Sequence, residues 1–92
     1  MPAPDDGSAS LIEYPSEFPI KVMGPLVDGF VEAIVTVARR HDPALDESRI
    51  ELRPSRAGNY LGITITVTAT SRAQLDALYA ELSSHPMVKV VL

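Results

Sequence analysis

The chain of 92 residues contains no cysteine. Disulfides, thiol nucleophiles and thiolate metal sites are therefore excluded. It has only two histidines, His41 and His85, far apart and each beside an expected helix end. No HxH or HExxH spacing occurs, so no metal site is expected. No apolar run approaches the roughly 18 residues of a membrane span. The N-terminal MPAPDDGSAS lacks the apolar centre of an export signal. A cytoplasmic protein without membrane contact is the simplest expectation. There is also no glycine-rich phosphate loop, no Ser-His-Asp order and no carboxylate pair in an apolar setting. Neither catalysis nor a cofactor is expected.

Charge is unevenly placed. Asp5, Asp6, Glu13 and Glu17 stand in the first 17 residues without one Lys or Arg, and the rest of the chain is neutral. Residues 1–10 hold nothing large to bury and read as a disordered acidic tail. Residues 11–92 then form one domain, with Leu11, Ile12 and Tyr14 expected to dock on it. A domain of this size supports one core but no deep internal pocket. Any ligand should therefore meet a face, a loop or a subunit boundary.

The strongest pattern present is Tyr60 to Thr70, YLGITITVTAT. Leu61, Ile63, Ile65, Val67 and Ala69 alternate with Gly62, Thr64, Thr66, Thr68 and Thr70. That period of two predicts a strand with one buried and one open face. Phe18–Met23 and Met87–Leu92 alternate in the same way, as do residues 49–53, which form a hairpin with the long strand. Pro19 cannot donate a ladder bond, so it belongs at a strand start or on an unpaired side. Gly58 and Asn59 suit the turn between the hairpin strands.

Two helices are predicted between the strands. The first runs from Pro25 to about His41, with Val27, Phe30, Val31, Ile34 and Ala38 as its core stripe. Gly29 is its weak interior point. Val35 and Val37 widen the stripe, which leaves contact with a second subunit, a homodimer, open. The second helix starts at Ser71, where Ser71 and Gln74 fit a capping box. Leu75, Leu78, Tyr79 and Leu82 form its stripe.

The order βαββαβ with right-handed crossovers predicts an α+β, ferredoxin-like two-layer sandwich. Its four-stranded antiparallel sheet has order 4-1-3-2, with both helices on one face. If Ile20, Ile50, Ile63 and Val90 face the helices, the open face carries Lys21, Met23, Arg49, Glu51, Arg53, Thr64, Thr66, Thr68, Lys89 and Val91. That set has a charge of +3. RNA-binding domains of this fold stack bases on this face. Here only Tyr60 is available for stacking, so nucleic acid is a poor fit. The Gly24-Pro25 turn before a helix N-terminus favours an anion.

Several segments together resemble one family. They are Tyr14-Pro15, Phe18-Pro19-Ile20-Lys21-Val22-Met23-Gly24, Pro54-Ser55 with Gly58-Asn59-Tyr60, the Ile/Thr strand, and Leu78-Tyr79 with Leu82 before Val88–Leu92. In this order they resemble the YbeD family of small bacterial cytoplasmic proteins. The chain departs from that family in its longer Ala/Pro/Asp tail and in Gly62, where a serine-like residue is expected. The resemblance implies a ferredoxin-like fold similar to ACT regulatory domains, no catalysis, and a regulatory role with a tie to lipoate metabolism. The expected function is ligand sensing, with Lys21, Gly24, Arg56, Gly58, Asn59 and Tyr60 as candidate contacts. The alternative is a module that docks a partner enzyme through Met23, Arg49, Arg53, Thr64, Thr66 and Lys89.

Overall fold

The Ile/Thr alternation becomes strand β3 (Tyr60–Ala69), whose Leu61, Ile63, Ile65, Val67 and Ala69 are all buried. The computed structural model describes residues 13–92. The expectations for residues 1–10, Leu11 and Ile12 lie outside those residues. Strand β1 (Ser16–Pro25) runs antiparallel to β3 along its whole length, from Ser16 opposite Ala69 to Pro25 opposite Tyr60. Strand β2 (Glu51–Pro54) pairs with the first half of β3. Strand β4 (Val90–Val91) pairs with Val22 and Met23 of β1. The order β2-β3-β1-β4 is the expected 4-1-3-2 seen from the other edge.

Helices α1 (Phe30–His41) and α2 (Arg72–Ser84) cover one face of this sheet. Phe30, Ile34, Val37 and Ala38 of α1 and Leu75, Leu78 and Leu82 of α2 meet Ile20, Val22 and the apolar side of β3. The fold is the ferredoxin-like βαββαβ sandwich that the pattern predicts. His41 Nε2 and Arg40 both contact Glu81, so the end of α1 is tied to α2 by charge as well as by packing.

Pro19 sits where a missing donor is harmless. The Lys21 N–H donates to the Leu92 carbonyl and the Lys21 carbonyl accepts from the Leu92 N–H. Odd-numbered backbone groups of β1 therefore face β4. Pro19 shares that direction but lies beyond the point where β4 has ended.

Three local expectations are corrected. Helix α1 begins at Phe30, not Pro25, and Val27 is 53% exposed rather than in the core. Gly29 is not a helix-interior weak point: it is the N-cap, at φ 89°, a conformation glycine adopts without strain. Val37 is buried in the core and Val35 is half-buried against it, so both pack within the chain as the wider stripe allows. Finally, the second strand starts at Glu51, after a 3-10 turn over Glu47–Arg49. Its Leu52 shares a face with buried Ile63 yet is 51% exposed, because the helices do not reach this edge.

Candidate functional site on the open sheet face

Register decides which side chains share the open face. Lys21 lies opposite Thr64, and Met23 opposite Gly62. Across β3, Glu51 lies opposite Thr64 and Arg53 opposite Gly62. On the far side, Val90 lies opposite Met23. The expected side of the last strand is thereby reversed. Val90 is on the open face, while Val91 lies opposite Val22 and packs against the core. One residue of register exchanges every side chain between faces. Lys89 lies in the bend before β4, where its N–H donates to the Met23 carbonyl.

These residues line a shallow groove of about 620 Å³. Its floor is Gly62, between Met23 and Arg53. Its walls include Lys21, Thr64, Tyr60 and Val90. Lys21 and Arg53 have no ion-pair partner among the described residues.

Three glycines on the candidate strands and turn differ in what the fold requires of them. Gly24 is buried on the helix side. A Cβ there would stand 2.5 Å from the Met87 carbonyl oxygen and 2.7 Å from Cε1 of Phe30. It is a packing glycine and does not open into the groove. Gly58 has φ 80° in the β2–β3 turn, where its N–H donates to the Ser55 carbonyl. Gly62 has neither reason. A Cβ there would meet only the Arg53 carbonyl oxygen, at an ordinary 3.6 Å. Glycine in a strand interior weakens the strand, so its bareness at the groove floor is not explained by the fold.

The other candidates are dispersed. Arg56, Gly58 and Asn59 lie in the hairpin turn, and the Asn59 carbonyl accepts from the Leu26 N–H. Of the first set, Lys21 and Tyr60 line the groove. Of the second, Met23, Arg53 and Thr64 do. Thr66 lies farther along the same face, opposite Pro19.

Arg49 is already engaged. Its guanidinium donates to both Glu17 carboxylate oxygens, at 2.5 and 3.2 Å. These hydrogen bonds, then the guanidinium charge, hold Glu17 below the ordinary glutamate range and raise Arg49 further. Glu17 shares the parity of Lys21 and Met23, and that parity is the signal by which it could have been placed on this face. The expected charge of +3 is corrected accordingly. Lys21, Arg49 and Arg53 stand against Glu17 and Glu51, and the surplus lies around the groove.

The sheet order and the two helices define a ferredoxin-like α+β domain. Its structure resembles the solution structure of protein HP0495 from H. pylori, with a TM-score of 0.72. That match covers 100% of this chain and 97% of the other at 13% identity, a likeness of fold alone. The chain belongs to the family described as "Protein of unknown function (DUF493)", which matches residues 9–92. It is 74% identical over 83 residues to a UPF0250 protein of Leptothrix cholodnii, covering 90% of this chain and 91% of the relative. A UPF0250 protein of Janthinobacterium sp. is 66% identical over 87 residues, covering 95% and 96%. This is the bacterial family that the residue pattern resembles under the name YbeD. No helix among the described residues is long and apolar enough to cross a membrane.

Proposed function

We propose that the domain is a non-catalytic cytoplasmic regulatory module that senses a small ligand on the open sheet face, in the manner of ACT-type domains. The observation that carries this reading is Gly62. A glycine without steric or backbone need forms the floor of a groove between two cations that have no ion-pair partner among the described residues and the exposed side chains of Met23 and Val90. Such a surface suits a ligand with an apolar body and an anionic group. The residues at the groove offer charge and apolar area, which serve recognition.

The test is a titration of the labelled protein, followed by NMR amide shifts, against amino acids, octanoate, lipoate and nucleotides. Saturable shifts at Lys21, Met23, Gly62 and Thr64 are expected. Gly62→Val should remove them without unfolding the chain, because the Cβ has room. A well-dispersed spectrum that moves with none of these compounds would overturn the reading.

A second reading has its own observation. Among the described residues, Met23, Leu26, Val27, Leu52, Tyr60, Val90 and Leu92 are the exposed large apolar residues, and all lie toward the end of the sheet where β1 finishes and β3 begins. Concentrated apolar surface of that kind marks protein contacts. On this reading the face docks a partner enzyme. Substitution Arg53→Glu should then release the partner in a pull-down, whereas undiminished capture counts against it.

A further inference from the structure

Strand β2 forms one edge of the sheet, and beyond it the end of β3 lies on the same side. Toward its end, β3 is closed by side chains, since Asp42 Oδ2 accepts from the Thr68 N–H and Gln74 Nε2 donates to the Thr68 carbonyl. Among the described residues, the neighbouring edge, β2, has no such cover. The Ser55 N–H donates to the Tyr60 carbonyl, which directs odd-numbered backbone groups of this strand toward β3. The N–H and C=O of Leu52 therefore point away from the sheet. Ile50 spends its N–H on the Glu47 carbonyl, and Pro54 has none. The edge thus offers one complete donor–acceptor pair, at Leu52.

We propose that β2 pairs edge to edge with β2 of a second copy of this chain, antiparallel, about a twofold axis at Leu52. A single outward pair on a twofold axis meets its own copy, giving two reciprocal hydrogen bonds. That register sets Glu51 opposite the partner's Arg53 and Arg53 opposite the partner's Glu51, with Cβ atoms about 5 Å apart. Neither residue has an ion-pair partner among the described residues. The half-exposed side chain of Leu52 meets the partner's Leu52 on the helix side of the sheet. Sliding the pairing by two residues in either direction sets Glu51 against the partner's Glu51, or Arg53 against the partner's Arg53. Charge therefore selects one register. The resulting sheet is continuous through both copies and leaves the two grooves on one side.

Sedimentation equilibrium of the full chain from about 10 μM to about 1 mM tests this. The wild type should dimerise. Glu51→Arg and Arg53→Glu should each weaken the dimer by roughly tenfold or more, since each turns two attractions into two repulsions. The double variant Glu51→Arg/Arg53→Glu should restore it. All the altered side chains are exposed, and circular dichroism verifies folding. Should either single variant fail to fold, Leu52→Lys replaces it and should leave a monomer. A wild type that stays monomeric throughout marks an edge merely blunted by charge and proline, and overturns the proposal. So does a dimer indifferent to the single reversals, or a double variant that does not recover.

Discussion

The carboxylate of Asp42 accepts a hydrogen bond from the backbone N–H of Thr68 at 2.9 Å. The residue that ends α1 therefore also closes the free edge of β3, beyond the reach of β2. Asp42 is a buried charged residue, 6% exposed. Its other oxygen accepts from the Ala44 N–H. Removing the carboxylate leaves a strand N–H without a partner at a half-buried site. Asp42→Ala should cost about 1–3 kcal/mol in urea unfolding. Native-state hydrogen exchange should show the Thr68 amide losing protection first.

Gln74 ties three parts of the chain together. Its Oε1 accepts from the Thr70 N–H at 2.6 Å, and its Nε2 donates to the carbonyls of His41 and Thr68 at 2.8 and 3.0 Å. The capping serine is as expected, with Ser71 Oγ accepting from the Gln74 N–H at 3.0 Å. The glutamine side chain departs from the capping box by serving Thr70 and α1 instead of the Ser71 N–H. Ser71→Ala should cost about 1 kcal/mol, as for other cap residues. Gln74→Ala should cost more, since it also frees the His41 and Thr68 carbonyls. Chemical denaturation of both variants checks the order.

Gly24→Ala tests the close approach beneath Phe30. The added methyl would lie within 3 Å of both the ring and the Met87 carbonyl oxygen. Overpacking of this kind costs about 1–3 kcal/mol. The same change at Gly62 should be neutral or stabilising. A thermal-melt comparison separates them, and equal losses would contradict the roles assigned to the two glycines.

The Glu17–Arg49 pair contributes on the acid side. Glu17 ionises below the ordinary glutamate range in the folded chain, so its contribution is complete above the unfolded value. It is lost as pH falls through the lowered folded value. Asp46 acts in the same sense, lowered first by the Ser48 hydroxyl at 2.6 Å and then by the Ser48 N–H at 3.0 Å. Glu17→Gln should lower stability slightly in the neutral region, where the contribution is complete, and converge with the wild type at low pH, so that part of the acid limb is flattened. An unaltered acid limb would show that the pair does not persist in solution.

Strand β3 was legible because its apolar residues alternate without interruption and one face is buried throughout. The stripe of α2 was legible for a similar reason. The ends were harder. Pro25 suits a first helical turn, but Gly29 adopts a positive φ and the helix starts after it. The last six residues alternate equally well in either phase, since Met87, Val88, Val90, Val91 and Leu92 are all apolar. Nothing local states which side faces the core.

The candidate site was partly legible. Lys21, Met23, Arg53, Thr64 and Tyr60 follow from strand parity and all line the groove. Gly24 and Gly62 look alike in a sequence, and only the presence or absence of Phe30 and Met87 nearby distinguishes them. Arg49 reads as a free cation until Glu17, two strands away, is placed beside it.

The sequence by itself determined the element types, their order and the ferredoxin-like sheet, because periodicity and turn chemistry are local. Tertiary structure alone decided the phase of β4, the closure of β3 by Asp42 and Gln74, and which cations gather around Gly62. Each depends on a partner distant along the chain, and the physical reason is register. A shift of one residue in a strand reverses its faces at almost no local cost, so only the assembled sheet and its helices can select between the two.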